Sequence, residues 1–477
     1  MLPPFLRIVL LLIVACTAQA SHAATGSSTI PADVDAALAR AHIPRDAVSL
    51  LVVDAQGGTA ARLAHRSQVA MNPASVMKLT TTYAALDLLG PAYVWTTPVY
   101  VEGPVRNGHL QGNVYIKGVG DPKLVVERLW LLLRRLQGLG IRHISGDIVL
   151  DHSAFDVPET DPGNFDGEPL RPYNAAPDAL LINYKAVVMT FTPEPSSNTA
   201  SVQFEPPLYG VQMQASVPLS NAATGAECGD YRTALKADFS DARRIRFGGS
   251  FAASCGEKVW PVAYAEPASY APRAVQGLWQ EMGATLDGSV HWGNVPTALT
   301  SGKPSLEVSS APLAEVIRDI NKFSNNVMAQ QVFLTLGSGS PAGARTVLQR
   351  WWTEHLGSED MPVFDNGSGL SRQERISAQG LGRLLQLAYR SPFMPELMAS
   401  LPITGVDGTL RRFKSAGVGS AHLKTGTLNN VLARAGYVDA QSGKRYVLVA
   451  LINHPNANTE AARTAVEALV DWAARDN

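Results

Sequence analysis

Cysteine is scarce in this chain: three residues out of 477, at positions 16, 228 and 255. There is no C-x-x-C and no H-E-x-x-H, and the ten histidines are scattered. The spacings that build zinc sites are therefore missing, and no metal is expected. An excess of one charge is missing too. The 40 basic and 41 acidic residues leave a formal net of −1, which gives no electrostatic reason to expect nucleic acid or strong binding to an anionic membrane surface. Past the N-terminus no apolar run approaches the ~20 residues of a membrane-spanning helix. Leu124 to Leu136 comes nearest, and Glu127, Arg128, Arg134 and Arg135 interrupt it. Repeats and low-complexity tracts are absent. Gly118-Val119-Gly120-Asp121-Pro122 lacks the third glycine of a dinucleotide fingerprint.

The N-terminus carries an export signal. Arg7 supplies a positive start, Ile8 to Val14 an apolar stretch too short to span a bilayer, and Ala18-Gln19-Ala20 a small-residue cleavage site. Residues 1–20 are read as a signal peptide, and the mature protein is expected to be exported. A weaker reading of Ile13-Val14-Ala15-Cys16 as a lipoprotein box stays open. Without Cys16, Cys228 and Cys255 remain as an even pair in an exported chain. That favours a disulfide, with two buried free thiols as the alternative. The remaining length suggests about three domains.

Along the chain, the pattern predicts an amphipathic helix near Pro31 to Ala41 and a hairpin of Ala47 to Val53 with Ala61 to His65. Val99 to Glu102 and Asn113 to Lys117 read as a hairpin around Arg106-Asn107-Gly108. A helix is predicted to be capped by Asp121, with Pro122 first, and to end at Gly138, followed by a strand at Asp147 to Asp151. Asp156 to Pro177 is rich in turn residues and reads as a long loop. Ala186 to Phe191, Ala200 to Phe204, Val211 to Val217 and Arg244 to Phe247 alternate as strands of a small β-module containing both cysteines. Helices are expected at Ser269 to Met282, through Leu313, Val316, Ile317 and Ile320, and at Val327 to Leu336, with Asn321 to Ser324 as a break. A strand near Ser289 to Trp292, a terminal hairpin of Ala433 to Val438 with Arg445 to Ile452, and a last helix at Glu460 to Ala474 complete the reading.

The chemistry concentrates in Asn72-Pro73-Ala74-Ser75-Val76-Met77-Lys78. Asn72 reads as a helix cap and Pro73 as the first helical residue, with Leu79, Ala84, Ala85, Leu88 and Leu89 on one buried face. Ser75 then lies in the first turn, where free N–H groups favour an oxyanion, and Lys78 follows one turn later on the same side. A serine beside an amine that burial keeps neutral is a nucleophile and its base. A capped core helix that merely contains Ser and Lys is the plainer alternative. Two further pieces weigh against it. Ser324-Asn325-Asn326 falls at the helix break, and Lys424-Thr425-Gly426-Thr427 leads into the terminal hairpin, where it reads as an edge strand. Ser196-Ser197-Asn198 also matches S-x-N but sits among turn residues.

In this order, Ser-x-x-Lys, Ser-x-Asn and Lys-Thr-Gly form the signature of penicillin-binding proteins and serine β-lactamases. The whole mature chain resembles the class C low-molecular-mass penicillin-binding proteins, the D-Ala-D-Ala carboxypeptidase/endopeptidase type. The gap between Ser75 and Ser324 holds whole domains, and Asp365-Asn366-Gly367-Ser368-Gly369-Leu370-Ser371-Arg372 and Asp151-His152-Ser153-Ala154-Phe155 also look like segments of that family. The resemblance implies an α/β (α+β) transpeptidase-like fold, with a discontinuous catalytic domain at 26–98 and 305–477. An inserted α/β domain is expected at 99–180 and 262–304, with a nested β-rich domain at 181–261. It implies Ser75 as nucleophile, Lys78 as base, Ser324 as proton relay beside Lys424, and Asn326 on a substrate amide. The N–H groups of Ser75 and Thr427 are expected to form the oxyanion hole, and Thr425, Gly426 and Thr427 to receive the terminal carboxylate with Lys424. Asp151, Phe155, Arg372 and Asn429 are expected to read the third residue of the stem peptide. No cofactor is implied. The implied partners are peptidoglycan stem peptides and cross-links, with β-lactam antibiotics as covalent inhibitors. A serine β-lactamase and a non-hydrolytic peptidoglycan-binding or β-lactam-sensing protein remain as alternatives.

Overall fold

The computed structural model describes residues 28–220 and 227–476, so the expected signal peptide and Cys16 lie outside the described residues. The chain opens with helix α1 (Ala32–Arg40) and the antiparallel pair β1 (Val48–Asp54) and β2 (Leu63–His65). A 3₁₀ turn at Ala74–Met77 leads into α2 (Lys78–Leu89). After a long excursion come α3 (Leu313–Phe323), α4 (Asn326–Leu336), α5 (Pro341–Leu356), α6 (Ala378–Tyr389) and α7 (Met394–Ser400). The chain closes with β3 (Ala421–Leu428), β4 (Val431–Asp439), β5 (Arg445–Asn453) and α8 (Glu460–Ala474).

β4 and β5 are almost continuously apolar, the pattern of strands covered on both faces. They lie inside an antiparallel sheet of order β2-β1-β5-β4-β3. Side chains alternate across it with period two. Leu50, Val52, Leu432, Leu448 and Ala450 pack towards α1 and α8, while Leu51, Ala433, Ala435, Val447 and Val449 pack towards the helices α2 to α6. The sheet is thus the middle layer of three, with β3 on one edge.

Between α2 and α3 the chain leaves on the strand Thr96–Val101 and returns on Leu306–Ser309, and these two pair antiparallel with Thr96 opposite Ser309. The residues between them fold around a core of their own, containing Leu132, Ile148, Phe191, Phe251 and Trp279. Helices Val126–Gly138 and Pro267–Glu281 accompany a five-stranded sheet there. Ala186–Glu194, Thr199–Glu205, Ser216–Pro218 and Lys258–Ala263 form a further sheet, and a Cys228–Cys255 disulfide lies beside it.

Several local expectations are corrected. Ala74 takes a left-handed φ of +46°, so Pro73 does not start an α-helix and Ser75 sits in the 3₁₀ turn ahead of α2. α2 has no single buried face. Every residue from Lys78 to Leu86 is buried because the helix runs through the middle of the fold, and Leu88 at its end is exposed. Asp121 caps no helix: its carboxylate accepts the Lys123 N–H within a turn, and the helix begins at Val126. Val211 to Val217 is two short strands, Gln212–Met213 and Ser216–Pro218, which belong to different sheets. α5, α6 and α7 have no counterpart in the sequence reading, although Ser340-Pro341 is a legible start signal for α5.

Candidate active site

The 3₁₀ turn holding Ser75 is fixed from three sides. Asn72 accepts the Ala74 N–H through Oδ1 at 2.8 Å and donates through Nδ2 to the Ser371 carbonyl at 2.9 Å. Two glycines let other segments approach. A Cβ on Gly426 of β3 would lie 2.5 Å from the Pro73 carbonyl oxygen, and one on Gly369 would lie 2.0 Å from that of Ala74. Both are far inside van der Waals contact, so the strand and the 365–371 loop reach the nucleophile turn only because these positions lack side chains.

Lys78, the first residue of α2, is completely buried. Its Nζ lies 2.9 Å from Ser75 Oγ, 2.6 Å from Asn326 Oδ1 and 2.5 Å from the Ser368 carbonyl oxygen. The last two atoms only accept, so they take two N–H groups. In a neutral amine the third direction is the lone pair, and it faces the Ser75 hydroxyl. Burial brings the Lys78 ammonium down to about 7, with Glu374 pulling the other way. The geometry and the charge state both suit a base directed at a serine.

Ser324 ends α3 in a left-handed conformation, φ +58°, and the next residue, Asn325, caps α4 by accepting the Met328 N–H. The break therefore comes from one residue that stops a helix and one that starts the next. Lys424 Nζ donates to Ser324 Oγ at 2.9 Å and to the Thr425 carbonyl at 2.8 Å. Burial, then Lys78, then Arg434 depress the Lys424 ammonium. The Leu423 N–H bonds outward to the Pro402 carbonyl. By strand alternation the N–H groups of Thr425 and Thr427 face the same outer edge of β3. The Thr425 hydroxyl lies 2.7 Å from that of Thr409, and Thr427 is exposed.

The structure joins Ser75, Lys78 and Asn326 in one bonded group and Ser324 and Lys424 in a second, with the two lysines within electrostatic reach of each other and Thr425, Gly426 and Thr427 continuing along β3. Asn326 is held at both ends of its side-chain amide. Its Oδ1 serves Lys78, and its Nδ2 donates to the Tyr173 carbonyl at 3.2 Å, on the long 156–177 loop. The exposed Arg372 and Asn429 meet, with a 3.3 Å bond from the guanidinium to the Asn429 carbonyl, and Phe165 of the same loop lies under Arg372 at 4.8 Å. Asp151 ends a strand of the insertion and is buried, and its carboxylate oxygens accept the backbone N–H groups of Ser153 and Val295. Phe155 is half-buried, with its ring against Gly120. Sequence reasoning gave no role to the Ser368 carbonyl, Tyr173, Phe165, Thr409 or Glu374. A backbone carbonyl has no residue-type signal, and the 365–372 segment was notable only as a likeness. Among the described residues no cluster of potential metal ligands occurs.

Comparison with known proteins agrees with this geometry. The family described as D-Ala-D-Ala carboxypeptidase 3 (S13) matches residues 30–476. A D-alanyl-D-alanine carboxypeptidase from Actinomadura sp. (strain R39) is 31% identical over 394 residues, covering 78% of this chain and 71% of that one. Penicillin binding protein 4 (dacB) from Haemophilus influenzae superposes with a TM-score of 0.71 at 22% identity, over 93% of this chain and 99% of its own. That protein has also been solved in complex with a β-lactam. A predatory peptidoglycan endopeptidase from Bdellovibrio bacteriovorus shares the fold with a TM-score of 0.53 at 17% identity, over 89% of this chain and 92% of its own.

Proposed function

The chain belongs to the D-Ala-D-Ala carboxypeptidase 3 (S13) family and is a serine carboxypeptidase, and on that premise we propose that it cleaves peptidoglycan stem peptides through an acyl-enzyme on Ser75. One observation carries the reading: Lys78 Nζ, its N–H groups held by two carbonyl oxygens, lies 2.9 Å from Ser75 Oγ. Ser75 Oγ attacks the carbonyl of the penultimate D-Ala as its proton passes to Lys78. The oxyanion is received by the N–H groups of Ser75 and Thr427, in the 3₁₀ turn ahead of α2 and on the outer edge of β3. As the peptide bond breaks, Ser324, bonded to Lys424, relays the proton held by Lys78 to the leaving D-alanine nitrogen, and water then hydrolyses the ester to free Ser75. Lys424 and the Thr425 and Thr427 hydroxyls bind the terminal carboxylate. Arg372 and Asn429, at the rim with Phe165, meet the stem peptide further along.

We also propose that residues 1–20 direct export to the periplasm and that cross-links are cleaved by the same site. A β-lactam presents its ring carbonyl to Ser75 and its carboxylate to Lys424. The deciding measurement is intact-protein mass spectrometry with benzylpenicillin over time, beside Ser75→Ala. A persistent adduct on the wild type that the variant lacks supports the reading, and D-alanine release from a pentapeptide follows. A transient adduct with the antibiotic consumed would indicate a β-lactamase, and no adduct at all would remove Ser75 from the mechanism.

A further inference from the structure

Glu374 is fully buried behind the site and takes no part in the mechanism above. Its Oε1 accepts three converging backbone N–H groups, from Asp365, Asn366 and Gly367, at 3.3, 3.2 and 3.0 Å. Its Oε2 has no hydrogen-bond partner among the described residues. A solely structural anchor would be served as well by an amide; a carboxyl with one oxygen left bare, in the interior, is costly. The loop it holds is the one that matters to the base. Gly367 accepts from Thr81 Oγ1 at 2.7 Å, and the next carbonyl, Ser368, accepts from Lys78 Nζ. Glu374 also lies within electrostatic reach of Lys78 and opposes the effect of burial on that amine.

We propose that Glu374 is the positioning residue of the Lys78 base. Its carboxylate holds the 365–371 loop so that the Ser368 carbonyl fixes one Lys78 N–H and turns the lone pair to Ser75. Its negative charge then stabilises the ammonium formed when the Ser75 proton moves to Nζ as Oγ bonds to the substrate carbonyl carbon. The inference rests on the Ser75–Lys78 reading. The other charges in this environment are Asp365 on the same loop, which opposes ionisation of Glu374, and Lys424 on β3 with Arg434 on β4 behind it.

The test compares wild type, Glu374→Gln and Glu374→Asp in the full mature chain, measuring the second-order acylation rate with a fluorescent penicillin from pH 5 to 9. Gln keeps an oxygen for the three amides and removes the charge. Without that charge the Lys78 ammonium loses support wherever Glu374 is ionised, from about pH 7 upward, so the upper part of the acidic limb moves to lower pH, while the part below, where Glu374 carries a proton, stays in place. The maximum also falls, because a less basic amine takes the proton less readily. Asp keeps the charge and holds the limb at its wild-type position. A Gln profile that superimposes on wild type, or an Asp limb that moves with Gln, overturns the proposal. If the Gln variant does not fold, ¹³C-carboxyl NMR of Glu374 decides instead. Its titration midpoint rises in Lys78→Met if the two groups are coupled, and an unchanged midpoint overturns the coupling. Absence of any adduct on the wild type defeats the Ser75 reading itself, which keeps the two failures distinct.

Discussion

Two buried groups set the pH behaviour at the scale of single residues. Lys78 falls from 10.5 to about 7 and Glu374 rises from 4.5 to about 7, each chiefly through burial. The base must be neutral to accept the Ser75 proton, so acylation is expected to rise through pH 7 and level off above it. A rate that stays flat from pH 5 to 8 would contradict this. The stability consequence has its own sign. Between pH 4.5 and 7 the folded chain holds a proton on Glu374 that the unfolded chain has lost, so stability falls as pH rises through that window. Relative to Glu374→Gln, the wild type should lose about 3 kcal/mol across it, at 1.36 kcal/mol per pKa unit. Urea unfolding at pH 4.5, 5.5 and 7 measures the difference, and parallel curves for the two proteins would refute it. Lys78 acts in the opposite sense. Between pH 7 and 10.5 the unfolded chain holds the extra proton, so stability recovers as pH rises.

At the scale of elements, the site depends on how closely β3 and the 365–371 loop can approach the turn before α2. Gly426→Ala puts a Cβ 2.5 Å from the Pro73 carbonyl oxygen and 3.1 Å from the Val76 nitrogen. β3 must back away, carrying Lys424 and Thr427 from Ser75. The expected cost is roughly 1–3 kcal/mol of stability, and acylation should fall by at least about tenfold. Gly58→Ala is the control. Gly58 has φ +82° and open space around it, so alanine there costs about 1 kcal/mol of strain and leaves acylation as it was. Equal loss of acylation in both variants would show that close approach is not the cause. The α3–α4 junction makes a related point. The left-handed Ser324 stops one helix and Asn325 starts the next, so the same two residues that break the helical pattern aim Ser324 and Asn326 at the two lysines.

For the whole molecule, the insertion has its own core and meets the site mainly through the 156–177 loop, whose Tyr173 carbonyl holds Asn326 and whose Phe165 underlies Arg372. A cavity of about 300 Å³ lies between this loop, α4 and the 365–370 segment. The Cys228–Cys255 disulfide spans 27 residues within the insertion. Replacing both cysteines by serine should cost about 3 kcal/mol through loop entropy. That loss falls on the insertion core, so acylation at Ser75 should stay within about twofold of wild type. Calorimetry and penicillin acylation on the double variant test both statements. A tenfold drop in acylation would mean that the two cores are coupled.

The sequence by itself determined the three motifs, the edge position of Lys424 to Thr427, the break at Ser324, the terminal hairpin and the last helix. Each is written locally, as residue types at a fixed spacing or as turn chemistry. Proline at 73 and aspartate at 121 misled because a left-handed Ala74 and a local turn overrode ordinary capping rules. The tertiary structure alone decided that the Ser368 carbonyl lies against Lys78, that Tyr173 holds Asn326, that Asp151 accepts the amides of Ser153 and Val295, and that Glu374 lies behind Lys78. Those facts depend on backbone atoms and on contacts between residues far apart in the chain. A carbonyl is the same at every position, so only the packing of the 365–371 loop against α2 gives this one its chemistry.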